Sequence, residues 1–361
     1  MKRRRINMAW LVLSTLVGTG TSTWSQPTDS TPRSDPAGSA TIQGVVIQID
    51  ERRPSQFVPW YEVPGGVLPD GVDQKFASIA DRAWRAHTRV QRGDFIGALP
   101  LYVALRNELL WQTGPQSLDV CEGLTRCLIS NSDRVAAIEP MLATFIACSS
   151  DGQHSAELPG VFDTSLLIRR DLPPVFASSD LGSSLESVHS SGDARIRMLH
   201  AYFELASCSV NDQDAVLNRL EELKRRNRTR DAGLVLVEQM CFAQAHPDES
   251  KRRGARESLV RRTQTQRGTW IEVWARLALG AGQIRDRDPY IRDRGVIELV
   301  HIIVRLGEVD PGLTMLAAQI AQEYLRDTDR APWGAQLMQD AQRNLNPHGQ
   351  SAGVKETRDN G

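Results

Sequence analysis

Ile79-Ala80-Asp81-Arg82-Ala83-Trp84-Arg85-Ala86-His87-Thr88-Arg89-Val90 runs through Gln91-Arg92-Gly93-Asp94 into Phe95-Ile96-Gly97-Ala98-Leu99-Pro100-Leu101-Tyr102-Val103-Ala104-Leu105-Arg106-Asn107-Glu108-Leu109-Leu110, and this stretch decides the fold. In its first half Ile79, Ala83, Ala86 and Val90 recur at near-helical spacing. In its second half Phe95, Ala98, Leu99, Tyr102, Leu105 and Leu109 do the same, so both halves predict amphipathic helices with a stripe to bury. Gly93 suits the left-handed conformation that closes a helix, and Asp94 suits capping of the next one. The pair therefore predicts a tight antiparallel hairpin. Gly114-Pro115 is expected to end the second helix.

Ala86, the Gly93-Asp94-Phe95 turn, the Ala98-Leu99 pair and Tyr102 give this hairpin a likeness to a known family: it resembles a tetratricopeptide (TPR) repeat, a two-helix unit of about 34 residues that stacks into solenoids. The resemblance covers one unit. It departs from the family where Leu105 replaces the usual alanine and where the closing proline is missing, so an ordinary helical hairpin in a bundle stands beside it as an alternative. The resemblance implies a fold class: mainly α, an α-α hairpin solenoid or superhelix, here with a short N-terminal β-hairpin. It also implies a concave groove lined by the first helix of each unit, toward which His87 points, and a protein or peptide partner held there.

The 361 residues suffice for a substantial core, and the net charge of -1 gives no overall pull toward nucleic acid. Lys2 to Arg5 followed by the apolar Met8 to Val17, with Thr23 and Ser25 before Gln26, reads as a secretory signal peptide over residues 1–25. The apolar run is short for a membrane span, which needs roughly 20 residues, and the expectation is a periplasmic or secreted protein with no stable span after cleavage. An uncleaved N-terminal anchor is the alternative. Of the five cysteines, Cys121 and Cys127 would lie about 9 Å apart along one helix, beyond disulfide reach. Cys208 and Cys241 fall on neighbouring helices and are a weak candidate pair. Buried free thiols are the main expectation.

Residues 26–40 are rich in Pro, Ser, Thr and Gly and read as a disordered linker. Thr41 to Ile49 reads as a strand and Phe57 to Val63 as its partner, a small β segment over 41–72 that Trp60 packs onto the helices. Residues 73–148 hold the first helical hairpins, the second pair expected at Leu118 to Ile129 and at Val135 to Ala147 with Asp133 as a possible cap. Ser, Gly and Pro clusters break the pattern over 149–192, which reads as an extended connection anchored by Leu166 to Ile168 and by Val175-Phe176. From 193 to 346 the chain is helical again. Asp288-Pro289 and Asp310-Pro311 are strong helix openings. Val296 to Leu306 is apolar nearly all round, predicting a helix covered on several sides. Residues 347–361 read as a disordered tail.

No Walker loop, paired zinc histidines, Gly-x-Ser-x-Gly elbow or paired CxxC occurs. The sequence accordingly points to no catalytic, cofactor-binding or metal site, and no cofactor is expected. His301, within the most apolar helix, reads as a hydrogen-bonded core histidine, and His87 as a possible groove contact. Two arginine-rich runs, 224–230 and 252–262, offer a grip on phosphate, yet interspersed carboxylates and the lack of interleaved aromatics favour a solvated face. Asn227-Arg228-Thr229 matches a glycosylation sequon. Three classes of function follow: an exported non-catalytic interaction scaffold, an enzyme acting on cell-envelope glycan through a buried acid such as Glu204 or Glu298, and an envelope structural protein.

Overall fold

A computed structural model describes residues 40–47, 55–149, 158–182, 185, 192–227 and 231–345. The signal peptide, most of the linker, the C-terminal tail and the Arg228-Thr229 part of the sequon lie outside these. Twelve α-helices make up most of the described chain: α1 (Ala77–Gln91), α2 (Phe95–Leu109), α3 (Pro115–Ser130), α4 (Ile138–Cys148), α5 (Ala194–Ser207), α6 (Gln213–Arg226), α7 (Ala232–Ala245), α8 (Glu249–Thr265), α9 (Trp270–Gln283), α10 (Pro289–Arg305), α11 (Pro311–Leu325) and α12 (Ala331–Leu345). Each of α1 to α4 packs on its successor, as does each of α7 to α11, while α6 packs on α5 and α7 returns to α5. Alternate helices also touch, α1 with α3, α5 with α7, α7 with α9 and α10 with α12. First- and second-neighbour packing of this kind is solenoid packing.

The opening hairpin forms through its local signals. Gly93 takes φ 77°, and Asp94 accepts a hydrogen bond from the Gly97 amide at 2.9 Å, capping α2. Ala86, Ala98 and Tyr102 are fully buried. Tyr102 lies across Gly123 of α3, where a Cβ would fall 2.1 Å from the tyrosine ring, so the small residue admits the aromatic one. The expectation that Gly114-Pro115 ends α2 is corrected: α2 stops at Leu109, and Gly114-Pro115 opens α3, with Pro115 its first residue.

Two local expectations are corrected. Thr41 to Ile49 is not one strand: β1 (Ala40–Thr41) turns at Ile42-Gln43 into β2 (Gly44–Ile47), which pairs antiparallel with β3 (Gln56–Pro59) to give a three-stranded sheet. Beyond Pro59 the chain leaves the sheet as a 3-10 turn, Trp60–Glu62, because Trp60 turns inward. Its indole Nε1 donates to Thr41 O at 3.0 Å and its ring stacks on Phe76 at 5.5 Å. The second correction is α4, which starts at Ile138 rather than Val135; Asp133 caps the preceding turn through the Ala136 amide at 3.2 Å.

In the second half the helices divide into two kinds. On α7, α9 and α11 most residues are buried, among them Leu236, Met240, Trp274, Leu277, Leu313 and Ile320. On α6 and α8 burial is confined to Val216 and Leu220 and to Ala255, Leu259 and Thr263. The second kind covers the first on one side only. The other side is covered by residues 158–182, an extended strap carrying the two-residue strands β4 (Phe162–Asp163) and β5 (Ile168–Arg169). The strap buries Ile168, Leu172, Val175, Phe176 and Ala177. Trp274 Nε1 donates to Arg170 O (2.7 Å), Gln244 Nε2 to Pro174 O (3.1 Å), and Arg285 to Phe176 O (3.1 Å), while the Ser178 amide donates to Glu323 (2.7 Å). The cavity left under the strap is about 10 Å³, at the lower limit for one water.

The expectation that Val296 to Leu306 is covered on several sides is also corrected. Leu299, Ile302 and Ile303 are buried, but Ile297 and Val304 are 64% and 67% exposed, because α10 lies in the outer layer and has neighbours on one side only.

The strap is part of the core, so Phe176→Ala is expected to lower the unfolding free energy by about 3–5 kcal/mol, read from urea denaturation followed by circular dichroism.

Candidate functional site

The helices α1 and α3 run side by side, and two groups of polar contacts, one turn apart on α3, lie along them. His87 on α1 donates from Nδ1 to Asp119 Oδ1 on α3 at 2.6 Å, and the Tyr102 hydroxyl of α2 donates to Asp119 Oδ2 at 3.2 Å. Tyr61 stacks on the His87 ring at 4.8 Å, and Gln91 Nε2 lies 3.5 Å from His87 Nε2. One turn along α3, Glu122 accepts from Arg169 of the strap at 2.7 Å, and Arg169 is held on its other side by Asp171 at 2.6 Å. Arg169 is wholly buried between those two carboxylates. The two groups together reach from the N-terminal β segment to the strap.

Electrostatics shift the titration of both members of the His87 pair. The hydrogen bond to Asp119 raises the His87 pKa above the ordinary histidine value, outweighing the burial that lowers it. Burial raises Asp119, opposed by its bonds from His87 and Tyr102. Tyr61 is pushed up to about 12, by burial first and by Glu62 next. His87 remains 30% exposed at its side chain while Asp119 is 11% exposed. The outcome is an imidazole anchored from behind, with Tyr61 across its face. Among the described residues the polar partners of His87 are Asp119 and Gln91.

A second concavity of about 820 Å³ opens where α5, α7 and α9 end, and its wall holds Arg252, Arg256, Arg285 and Arg287. The first of these come from the arginine run read above as a solvated face. Helix C-termini carry roughly half a negative charge each and unpaired carbonyls, and the arginines meet them. Arg252 donates to His246 O (2.6 Å) and Pro247 O (2.9 Å), and Arg256 donates to Ala243 O (3.2 Å) and Gly282 O (3.0 Å) and pairs with Asp286 (3.0 Å). These side chains tie α7, α8 and α9 together, while Arg253 and Arg261 of the same run are exposed. In the earlier run Lys224 is bound by Glu238 at 2.6 Å and Arg226 by Glu222.

His301 is not a core residue as its sequence context suggests. Its side chain is 37% exposed, 3.8 Å from Glu272. Glu204 is paired with Arg219, and Glu298 with Arg276; neither lines the large cleft. All five cysteines are free, with Cys121, Cys127 and Cys241 buried. Burial raises every one of these thiols, Cys127, Cys148 and Cys208 to about 11, which keeps them protonated and weakly nucleophilic at neutral pH. Among the described residues no group of three or more His, Cys, Asp or Glu side chains is placed to hold a metal, and no helix is long and apolar enough to cross a membrane.

Of the residues singled out from sequence, His87, Ala86, Ala98 and Tyr102 come together around α3, and Gly93, Asp94, Phe95 and Leu99 build the turn and flank that hold them. Asp119 and Tyr61 were missed as partners of His87. The one available signal was an acid set among Leu118, Val120, Cys121 and Leu124 on α3.

Because the folded His87 pKa lies above its unfolded value, the pair's contribution to stability is complete below about pH 6.5 and is lost as pH rises through the folded pKa. His87→Ala is expected to abolish that segment of the stability-versus-pH curve, and the His87 ring signals in NMR are expected to titrate above the ordinary value. A titration at or below it would refute the assignment.

Comparison with protein-family models, with curated proteins and with solved structures gives no match to this chain.

Proposed function

We propose that this chain is an exported, non-catalytic interaction scaffold, built from TPR-like hairpins, that holds an extended segment of a protein partner. The observation that carries this reading is how the helical layer holds its own strap. Trp274, Gln244 and Arg285 each donate to a main-chain carbonyl, while apolar side chains of the strap sink between the helices. Donors aimed at carbonyls hold an extended backbone whatever its side chains, because every residue offers the same main-chain acceptor.

Over α5, α7 and α9 this mode of binding is satisfied within the chain. On this reading the partner binds over α1 and α3, where His87, Tyr61 and Gln91 lie close together. His87 offers a ring edge and Tyr61 an aromatic face, both immobilised from behind and so binding at little conformational cost. The envelope-glycan alternative requires Glu204 or Glu298 to face a deep cleft, and the arginine partners of both weigh against it.

Affinity capture from the cell-envelope fraction tests this. A protein retained by the wild-type chain is expected to be lost, by tenfold or more, with the double variant Tyr61→Ala/His87→Ala, whose helicity is checked by circular dichroism. Retention of glycan fragments instead, or equal retention of the protein by the folded variant, would overturn the reading.

A further inference from the structure

Four arginines line the concavity of about 820 Å³ at the ends of α5, α7 and α9, and two of them are engaged by the fold. Arg252 pairs with Glu249 and Arg256 with Asp286, the two carboxylate residues of the same wall. The helix ends, whose carbonyls would repel an anion, are answered too. Arg252 donates to His246 O and Pro247 O, Arg256 to Ala243 O and Gly282 O, and the Gly182 amide to Ser207 O at 2.8 Å. Arg285 and Arg287 remain, on the connection between α9 and α10 and outside both arginine-rich runs. Neither forms an ion pair among the described residues. Arg285 is fixed at one point, donating from Nη2 to Phe176 O of the strap at 3.1 Å, and its other N–H groups have no protein acceptor among the described residues. Its side chain opens on the concavity yet is crowded by protein, and that burial pulls its pKa below the ordinary arginine value. Glu323, the charge that opposes the shift, is taken by the Ser178 amide and the Ser179 hydroxyl.

A cation crowded by protein and lacking a counter-charge is costly unless an anion joins it. From these two unmatched guanidinium groups in one concavity we infer that it binds a small organic phosphate monoester. The phosphate, with close to two negative charges at neutral pH, matches the two cations, and each guanidinium presents its N–H groups as a planar fork that fits phosphate oxygens in pairs. A singly charged carboxylate leaves one cation unmatched. The organic part is called for by space, since the concavity falls within the range of small-molecule sites, roughly 300–1,000 Å³, and a bare phosphate ion leaves most of it empty. Leu181, Ala206, Val210, Ala245 and Pro247 give the remaining wall an apolar character suited to such a group. The site involves none of the residues of the α1 and α3 surface, so it stands or falls independently of the partner assigned there.

Isothermal titration calorimetry on the full chain at fixed ionic strength, with phenyl phosphate as the probe, tests the inference. Phenyl phosphate is expected to bind with a Kd below about 1 mM, inorganic phosphate and benzoate more weakly, and phenol not at all. Arg287→Gln, at a side chain with no hydrogen bond or ion pair among the described residues, is expected to weaken phenyl phosphate at least about tenfold with an unchanged melting temperature of the unliganded chain. Arg285→Gln is expected to weaken it as much. Arg253→Gln, on the exposed face of α8 and outside the concavity, is expected to leave the affinity as it was, which separates a built site from general attraction to a basic surface. No binding up to about 10 mM, well beyond the millimolar range of weak specific ligands, would overturn the inference. So would inorganic phosphate or benzoate binding as tightly as phenyl phosphate, indifference to Arg287→Gln, or an equal loss with Arg253→Gln.

Discussion

Helices that are apolar on every side need cover on every side, and the second half of this protein is arranged to meet that constraint. Leu234, Leu236, Val237 and Met240 on α7, and Val273 to Ala275 with Leu277 to Leu279 on α9, are all buried, leaving Arg276 and a few other polar residues on a narrow flank. Exposing one such large side chain costs roughly 1.5–3 kcal/mol, so a single layer of α8 and α10 on one side would leave the structure far from stable. The strap supplies the second layer. It brings its own backbone into a dry region, where every unpaired carbonyl is costly, and the inner helices answer with Trp274, Gln244 and Arg285.

The same need governs the arginines. This chain is rich in them and has five lysines only, at 2, 75, 224, 251 and 355. A planar, multiply donating guanidinium satisfies several carbonyls at a helix end while keeping an ion pair, as Arg256 does among Ala243, Gly282 and Asp286. Arg169, buried between Glu122 and Asp171, binds carboxylates alone and joins strap to α3. Both couple elements that are remote in sequence. A run of basic residues that looks like a grip on phosphate is thus largely consumed by internal contacts, and only its outward members remain in solvent.

The two halves meet the solvent differently. The N-terminal hairpins keep an anchored, part-exposed imidazole between the β segment and the strap, whereas the C-terminal helices turn their equivalent face inward under the strap. The first surface is therefore left part-exposed, and the second is filled by the chain itself.

Features fixed by interactions within four residues were legible in one dimension. Gly93 with Asp94, Asp288 with Pro289 and Asp310 with Pro311 punctuate helices through their own backbone bonds, and three-to-four-residue periodicity marked the α character of the whole. Only the tertiary structure decided what those helices face. Asp119 reaches His87 from another hairpin, the strap lies on α7 and α9 rather than in solvent, and α10, apolar nearly all round, shows Ile297 and Val304 to water. An apolar pattern states that a surface must be buried or partnered; it does not state by what, because that depends on distances between segments whose separation along the chain carries no geometry.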